Sequence, residues 1–170
     1  GRISVYPARG ELQIYVDLAQ PEGTGSFQLE FERLKSQLEE EGLFDPMRKR
    51  PLPRFPKTIG VVTSPTGAVF HDICNVLQRR YPLAEVLLSP ALVQGDKAAP
   101  SIVEAIRILN SLHNVDVVIV ARGGGSIEEL WPFNEEIVAR AIYASQAPVV
   151  SGIGHETNNT IADLVADMRT

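Results

Sequence analysis

Four short apolar runs decide what this chain can become: Ile59-Gly60-Val61-Val62, Val86-Leu87-Leu88, the seven residues 115–121 (Val-Asp-Val-Val-Ile-Val-Ala) and Pro148-Val149-Val150-Ser151. A loop rich in Gly, hydroxyl or ionisable residues follows each run, and then a stretch of helical spacing. Strands and helices that alternate in this way predict βαβ units with right-handed crossovers and a parallel sheet. The unbroken apolar character of the strands predicts helices on both faces. The fold class expected is therefore α/β, with an open, mainly parallel sheet.

The residues before this region read differently. Ile3 and Val5, then Leu12, Ile14, Val16 and Leu18, alternate on either side of the turn cluster Tyr6-Pro7-Ala8-Arg9-Gly10, which predicts a β-hairpin. A hairpin alone is marginal in water, so its strands are expected to complete a sheet lying upstream. Pro21-Glu22-Gly23-Thr24-Gly25 reads as a linker. Ser26 is placed to cap a helix that carries Phe27, Leu29, Phe31, Leu34 and Leu38 and ends near Gly42. Residues 45–56 contain four prolines together with Arg48, Lys49, Arg50 and Arg54. They predict an extended surface loop, either a solvated basic connector or a segment touching phosphate. Three regions follow: 1–22, 23–56 and 57–170.

The chain has 170 residues, 44% hydrophobic and 22% charged, which fits a globular domain rather than a disordered tail or a collagen-like repeat. Cys74 is the single cysteine, so neither an internal disulfide nor a cysteine zinc knuckle can form, and a reducing compartment is expected. No apolar run reaches the roughly 20 residues that a membrane helix needs. Gly1-Arg2-Ile3-Ser4 is neither a signal peptide nor an initiating methionine, and Met168-Arg169-Thr170 continues a helical pattern without a stop signal. Both ends are expected to be cuts within a longer chain. A net charge of −5 does not advertise nucleic-acid binding, so any polyanion site must be local or completed elsewhere.

In an open α/β sheet, ligands bind beyond the carboxyl ends of the strands. Four loops qualify: residues 63–67, 90–95, 122–126 and 152–157. The first offers Ser64, Thr66 and Gly67 as phosphate-binding candidates. In the third, Gly123, Gly124 and Gly125 allow close backbone approach, Ser126 can cap the next helix, and Arg122 adds a fork of donors. The alternative is a tight turn with an incidental arginine. No Gly-Lys-Ser/Thr follows, and Gly-x-Gly-x-x-Gly is absent, which demotes an ATPase and a nicotinamide dehydrogenase. His155 follows a strand end and suits acid–base work on a phosphodiester, against the blander role of a structural histidine. Asp72 lies in the second turn of a helix whose inner stripe is Val69, Ile73 and Leu77; by spacing alone it is a solvated carboxylate. His71, His113, Glu128 and Glu129 have similarly bland readings. No two histidines stand at metal-ligand spacing. These residues leave phosphodiester hydrolysis, phosphoryl transfer and sugar-phosphate binding unseparated.

Together, several motifs resemble the large-subunit family of bacterial exodeoxyribonuclease VII. They are Ile59-Gly60-Val61-Val62-Thr63-Ser64-Pro65-Thr66-Gly67-Ala68, His71-Asp72-Ile73, Val93-Gln94-Gly95, Arg122-Gly123-Gly124-Gly125-Ser126 with Glu129-Leu130-Trp131-Pro132-Phe133-Asn134, and Gly154-His155-Glu156-Thr157 with Thr160-Ile161-Ala162-Asp163. They occur in family order from about residue 57 to the end. The resemblance implies a cytoplasmic exonuclease that degrades single-stranded DNA from both ends and releases 5′-phosphorylated oligonucleotides. It also implies an N-terminal OB-fold, of which the hairpin would be the last part, and several copies of a small helical subunit bound through a C-terminal region. Catalytic roles carry over to Asp72, Arg122 and His155. A further family aspartate, three residues after the histidine, is Asn158 here. No cofactor is implied with certainty; magnesium is the candidate, and the metal ligands are unknown. Trp131 and Phe133 are offered as base-stacking platforms or core anchors. The competing class is a non-cleaving module that holds DNA or a sugar phosphate, and Asn158 is the feature that favours it.

Overall fold

The computed structural model describes residues 2–6, 11–15, 24–154 and 159–170. The chain divides into two units, Gly1–Arg33 and Leu34–Thr170. In the first, β1 (Arg2–Tyr6) pairs antiparallel with β2 (Glu11–Tyr15), Arg2 opposite Tyr15 and Tyr6 opposite Glu11. The hairpin is therefore present. Residues 7–10 of its expected turn and residues 21–23 of the expected linker lie outside the described residues.

Helix α1 spans Thr24–Glu40. It starts two residues before the expected cap, so Ser26 sits in its first turn. Its inward stripe is Phe27, Phe31, Leu34 and Leu38, the last two buried; Leu29, off that stripe, is exposed rather than packed. The helix stops where the sequence places its end. Gly42 adopts φ +78°, its N–H bonds to the Glu39 carbonyl, and the Leu43 N–H reaches back to the Leu38 carbonyl. That pair of bonds closes the helix end, with Leu43 and Leu38 both buried beside it.

The basic connector is neither a solvated strand nor a row of free cations. A 3-10 turn at Pro46–Arg48 is capped by Asp45, and its last residue, Arg48, and the following Arg50 turn inward. Arg48 donates to the carbonyls of Leu43 and Val165 and lies 4.4 Å over the Tyr143 ring. Arg50 grips both oxygens of Asp167 at 3.1 and 2.8 Å and donates to the carbonyls of Ser145 and Gln146. Arg50 has every side-chain nitrogen bonded within the protein, which corrects a phosphate-contacting role for it, and Arg48 spends its Nη1 on two carbonyls.

Five parallel strands form the sheet: β3 (Thr58–Thr63), β4 (Glu85–Pro90), β5 (Val117–Arg122), β6 (Val149–Ile153) and β7 (Met168–Arg169), in the order β4-β3-β5-β6-β7. The crossovers are α2 (Ala68–Arg80), α3 (Ala98–Ser111), the run α4 (Ile127–Leu130), a 3-10 turn (Trp131–Asn134) and α5 (Glu136–Tyr143), and then α6 (Ile161–Val165). One face of the sheet is sealed. Gly60 has no Cβ, and one placed there would fall 2.7 Å from a methyl of buried Leu109, so α3 lies directly against that face. Helix α5 packs on α3 and α6, and Ser151 on the same face bonds to Asp163 of α6. Helix α2 lies outside this layer. None of its residues is fully buried; Val69, Ile73 and Leu77 of the expected stripe are half-buried.

The fifth strand corrects the expectation that the last residues continue a helix. Ala166 turns extended (φ −56°, ψ 150°), and Asp167 accepts hydrogen bonds from the N–H groups of Arg50 and Val149. A carboxylate engaged in this way stops the helix and sets Met168 beside Val150. Burial pushes the Asp167 carboxyl up, but the Arg50 side chain, the Arg50 N–H and the Val149 N–H together hold it below the usual range. Its stabilising effect is therefore complete above the ordinary aspartate value near 4 and lost as pH falls through the lower folded value. In urea unfolding at pH 7, Asp167→Asn should cost about 2–4 kcal/mol. The gap between the two proteins should close as the medium is acidified below about pH 4.

Candidate anion site at the carboxyl edge of the sheet

The chain leaves β3 towards β4 on one side and leaves β5 towards β6 on the other, and β3 and β5 are neighbours. Their outgoing loops diverge, which opens a crevice between residues 64–67 and 123–126. Three of the four expected loops bring residues to one place. Arg122 is the last residue of β5 and is only 8% exposed. Its Nη2 donates to Gln94 Oε1 (3.2 Å), from the loop after β4, and to Glu129 Oε2 (3.1 Å). Its Nη1 is buried and has no hydrogen-bond partner among the described residues. An unpaired buried donor costs about 1–3 kcal/mol, more when charged. An anion at that nitrogen would remove the cost.

Gly125 makes this arrangement possible. A methyl group there would overlap both terminal nitrogens of Arg122 and Glu129 Oε2, so the guanidinium lies where only a glycine leaves room. Glu129 also accepts the Ser126 N–H (3.2 Å), while Ser126 Oγ accepts the Glu129 N–H (3.4 Å). This reciprocal cap is the helix-capping role expected of Ser126. Helix α4 is a single four-residue turn, and its first donors are already met from within. The hydrogen bonds from Arg122 and then from the Ser126 N–H hold the Glu129 carboxyl below its ordinary value. Sequence reasoning passed over Glu129; the signal was its place three residues after a serine that opens a helix.

The longer helix start in the crevice is that of α2. Gly67 is its N-cap and supplies no side chain to the free N–H groups of the first turn. Val69 of that turn lies against Gly123, 3.7 Å from where its Cβ would be. Ser64 Oγ and Thr66 Oγ1 are 3.2 Å apart, and the Gly67 N–H bonds to the Ser64 carbonyl. No hydrogen bond is made to the N–H groups of Gly123, Gly124 or Gly125 among the described residues. Asp72 and His71 are exposed on α2, and no ion pair reaches Asp72 among those residues.

His155 and Asn158 lie outside the described residues; their flanks do not. Before them, Gly154 at φ +67° donates its N–H to the Arg122 carbonyl (3.0 Å). After them, Thr160 caps α6 with Asp163, which in turn accepts from Ser151. Phe133 is fully buried, which makes it a core anchor and removes it as a stacking platform; Trp131 is half-buried. Asn134, quoted in the sequence only as the end of a motif, accepts the Ile161 N–H (2.9 Å) and joins the 3-10 turn to α6. Among the described residues, no group of three or more His, Cys, Asp or Glu side chains is placed to hold a metal ion, and no helix is long and apolar enough to cross a membrane.

Fold and site define a parallel α/β domain with a buried arginine at its switch point as the candidate anion site. The chain belongs to the exonuclease VII large-subunit family: the family model described as "Exonuclease VII, large subunit" matches residues 43–170. It is 65% identical over 169 residues to the exodeoxyribonuclease 7 large subunit of Geobacillus kaustophilus, covering 99% of this chain and 38% of that protein. The proteins of the same name from Bacillus cytotoxicus and Bacillus cereus are 60% and 58% identical, with 99% of this chain and 38% and 37% of theirs covered. The chain thus spans a little over a third of the length of these relatives.

Gly125→Ala should part Arg122 from Glu129. Followed by NMR across the acid range, the Glu129 carboxyl should then titrate at higher pH than in the wild type. A titration that does not move would show that the added methyl is absorbed without separating the pair.

Proposed function

We propose that residues 57–170 are the cutting part of an exodeoxyribonuclease that hydrolyses single-stranded DNA from both ends and leaves 5′-phosphorylated oligonucleotides. Residues 1–22 would close an N-terminal OB-fold that grips the strand, and residues 23–56 would connect the two. Several copies of a small subunit would complete the enzyme. The observation that carries this proposal is the buried Arg122 Nη1, without a partner among the described residues, at the switch point of a chain belonging to this family.

The scissile phosphate would lie between Arg122 Nη1 and the open first turn of α2, with Ser64, Thr66, Gly67, Gly123 and Gly124 around it. Donors fixed before the reaction stabilise the negative charge that builds on the phosphate oxygens. Ser126 and Gly125 serve by shaping the loop, because Ser126 is engaged in the α4 cap. His155 follows Gly154, whose N–H is tied to the Arg122 carbonyl, and would move the proton on the attacking or leaving oxygen. Asp72 would orient the water or His155. Magnesium, if used, would be held at Asp72 and substrate oxygens rather than in a protein cage.

In the full-length large subunit assembled with its small subunit, Arg122→Ala and His155→Ala should each slow single-turnover cleavage by on the order of 100-fold or more. Normal rates for either variant would remove that residue from the mechanism. Loss of cleavage with DNA still bound would separate an enzyme from a module that only holds DNA. Asn158 presents N–H donors where a carboxylate presents only acceptors. Asn158→Asp should raise the cleavage rate, measured across pH with and without magnesium, and leave DNA affinity little changed. An equal or lower rate would show that asparagine is the working residue at this position.

A further inference from the structure

The pair Arg122–Glu129 makes the anion site close to neutral before any ligand arrives. Arg122 carries one positive charge; Glu129, half-exposed and 3.1 Å from Nη2, carries one negative charge. Gln94 takes the same nitrogen with a neutral oxygen. The fork expected to grip a phosphate with two nitrogens is therefore split: Nη2 is held by the protein, and Nη1 has no partner among the described residues and is left for a ligand. A phosphate oxygen on Nη1 would stand on the order of 5–6 Å from the Glu129 carboxylate, one guanidinium width plus a hydrogen bond. At that range each added negative charge on the ligand meets both the arginine and the glutamate.

From this geometry, and resting on Arg122 as the phosphate anchor, we propose that Glu129 is a specificity-determining residue. It sets the site to accept the monoanion of an internal phosphodiester and to disfavour the dianion of a terminal phosphomonoester. Cutting a diester by water leaves one hydroxyl end and one phosphomonoester end. The bond between phosphorus and the leaving oxygen breaks, a water oxygen joins phosphorus, and the leaving oxygen takes a proton. Near neutral pH the new end carries close to a second negative charge. Such an end is repelled by Glu129, which frees the site for the next diester.

The test compares two short oligothymidylates, one ending in a 5′-phosphate and one in the methyl ester of that phosphate. Both compete with cleavage of a labelled single strand by the full-length large subunit assembled with its small subunit, at pH 8 and constant ionic strength. In the wild type the 5′-phosphate competitor should bind no tighter than its ester, because Glu129 offsets the pull of Arg122 on the second charge. In Glu129→Gln, whose amide oxygen can still accept the Ser126 N–H, the 5′-phosphate competitor should gain on the order of tenfold over its ester, after discounting for the exposure of Glu129. Glu129→Asp, which keeps the charge, should behave as the wild type. Glu128→Gln, which removes the same charge from the neighbouring position, should move the ratio far less. An unchanged ratio in Glu129→Gln, or an equal change in Glu128→Gln, overturns the role given to Glu129. Arg122→Lys keeps the two failures apart. If it cleaves and binds both competitors as the wild type does, the phosphate anchor itself falls, and the role of Glu129 falls with it.

Discussion

A guanidinium cannot be taken from water at the end of a central strand unless protein groups replace the water around it. Arg122 is in that position, and the surrounding loops are arranged to meet the demand. Gln94 comes from the loop after β4, Glu129 from the crossover after β5, and Gly125 gives up its side chain so that the guanidinium can lie against the backbone. The Arg122 carbonyl, pointing the other way along the sheet, receives the N–H of Gly154. One residue thus joins the loops after β4, β5 and β6. Among the described residues its Nη1 is buried without a partner, so the site is built around an unsatisfied donor.

The opposite edge of the sheet is built on the reverse principle. There the incoming strands meet acceptors, and three of them among the described residues are engaged by backbone N–H groups. Asp116 accepts the N–H groups of Lys57 and Thr58, which hold its carboxyl below the ordinary value. Asp167 accepts from Val149 and Arg50, and Asn110 accepts the Gln146 N–H. Carboxylates there fix where β3 and β6 begin. Closed polar groups at one edge and an open donor at the other fit the rule that parallel sheets offer ligands their carboxyl ends.

This contrast also explains what could be read in the residues alone. Strand runs such as residues 59–62 and 117–121 are legible because burial on both sides leaves no polar residue in the way. The glycine-rich turn after Arg122 is legible because so few structural turns need three glycines in a row. Partnerships between distant residues are not legible. Arg48 and Arg50 look like surface cations until Val165, Ser145 and Asp167, about a hundred residues away, supply their acceptors. Helix α4 looks like an anion-binding start until it proves to be one turn long and capped by its own glutamate. Strand β7 is hidden because two residues are too few to show an alternation, and what defines them is the Asp167 carboxylate just before them.

The same packing fixes which side of the crevice can give way. Helices α3 and α6 place several side chains each among the fully buried residues, and α5 is sealed between them. The β5 loop is anchored on that layer through Glu129, Leu130 and Phe133. Helix α2 has no fully buried residue, yet it carries the open first turn, the hydroxyl pair Ser64 and Thr66 before it, and Asp72. An element with few buried contacts is the cheapest to displace. The crevice therefore has a fixed wall, which holds the guanidinium, and a yielding wall, which carries backbone N–H groups and a carboxylate. Small movements of α2 can widen or narrow the space between the two walls, while the guanidinium of Arg122 stays in place.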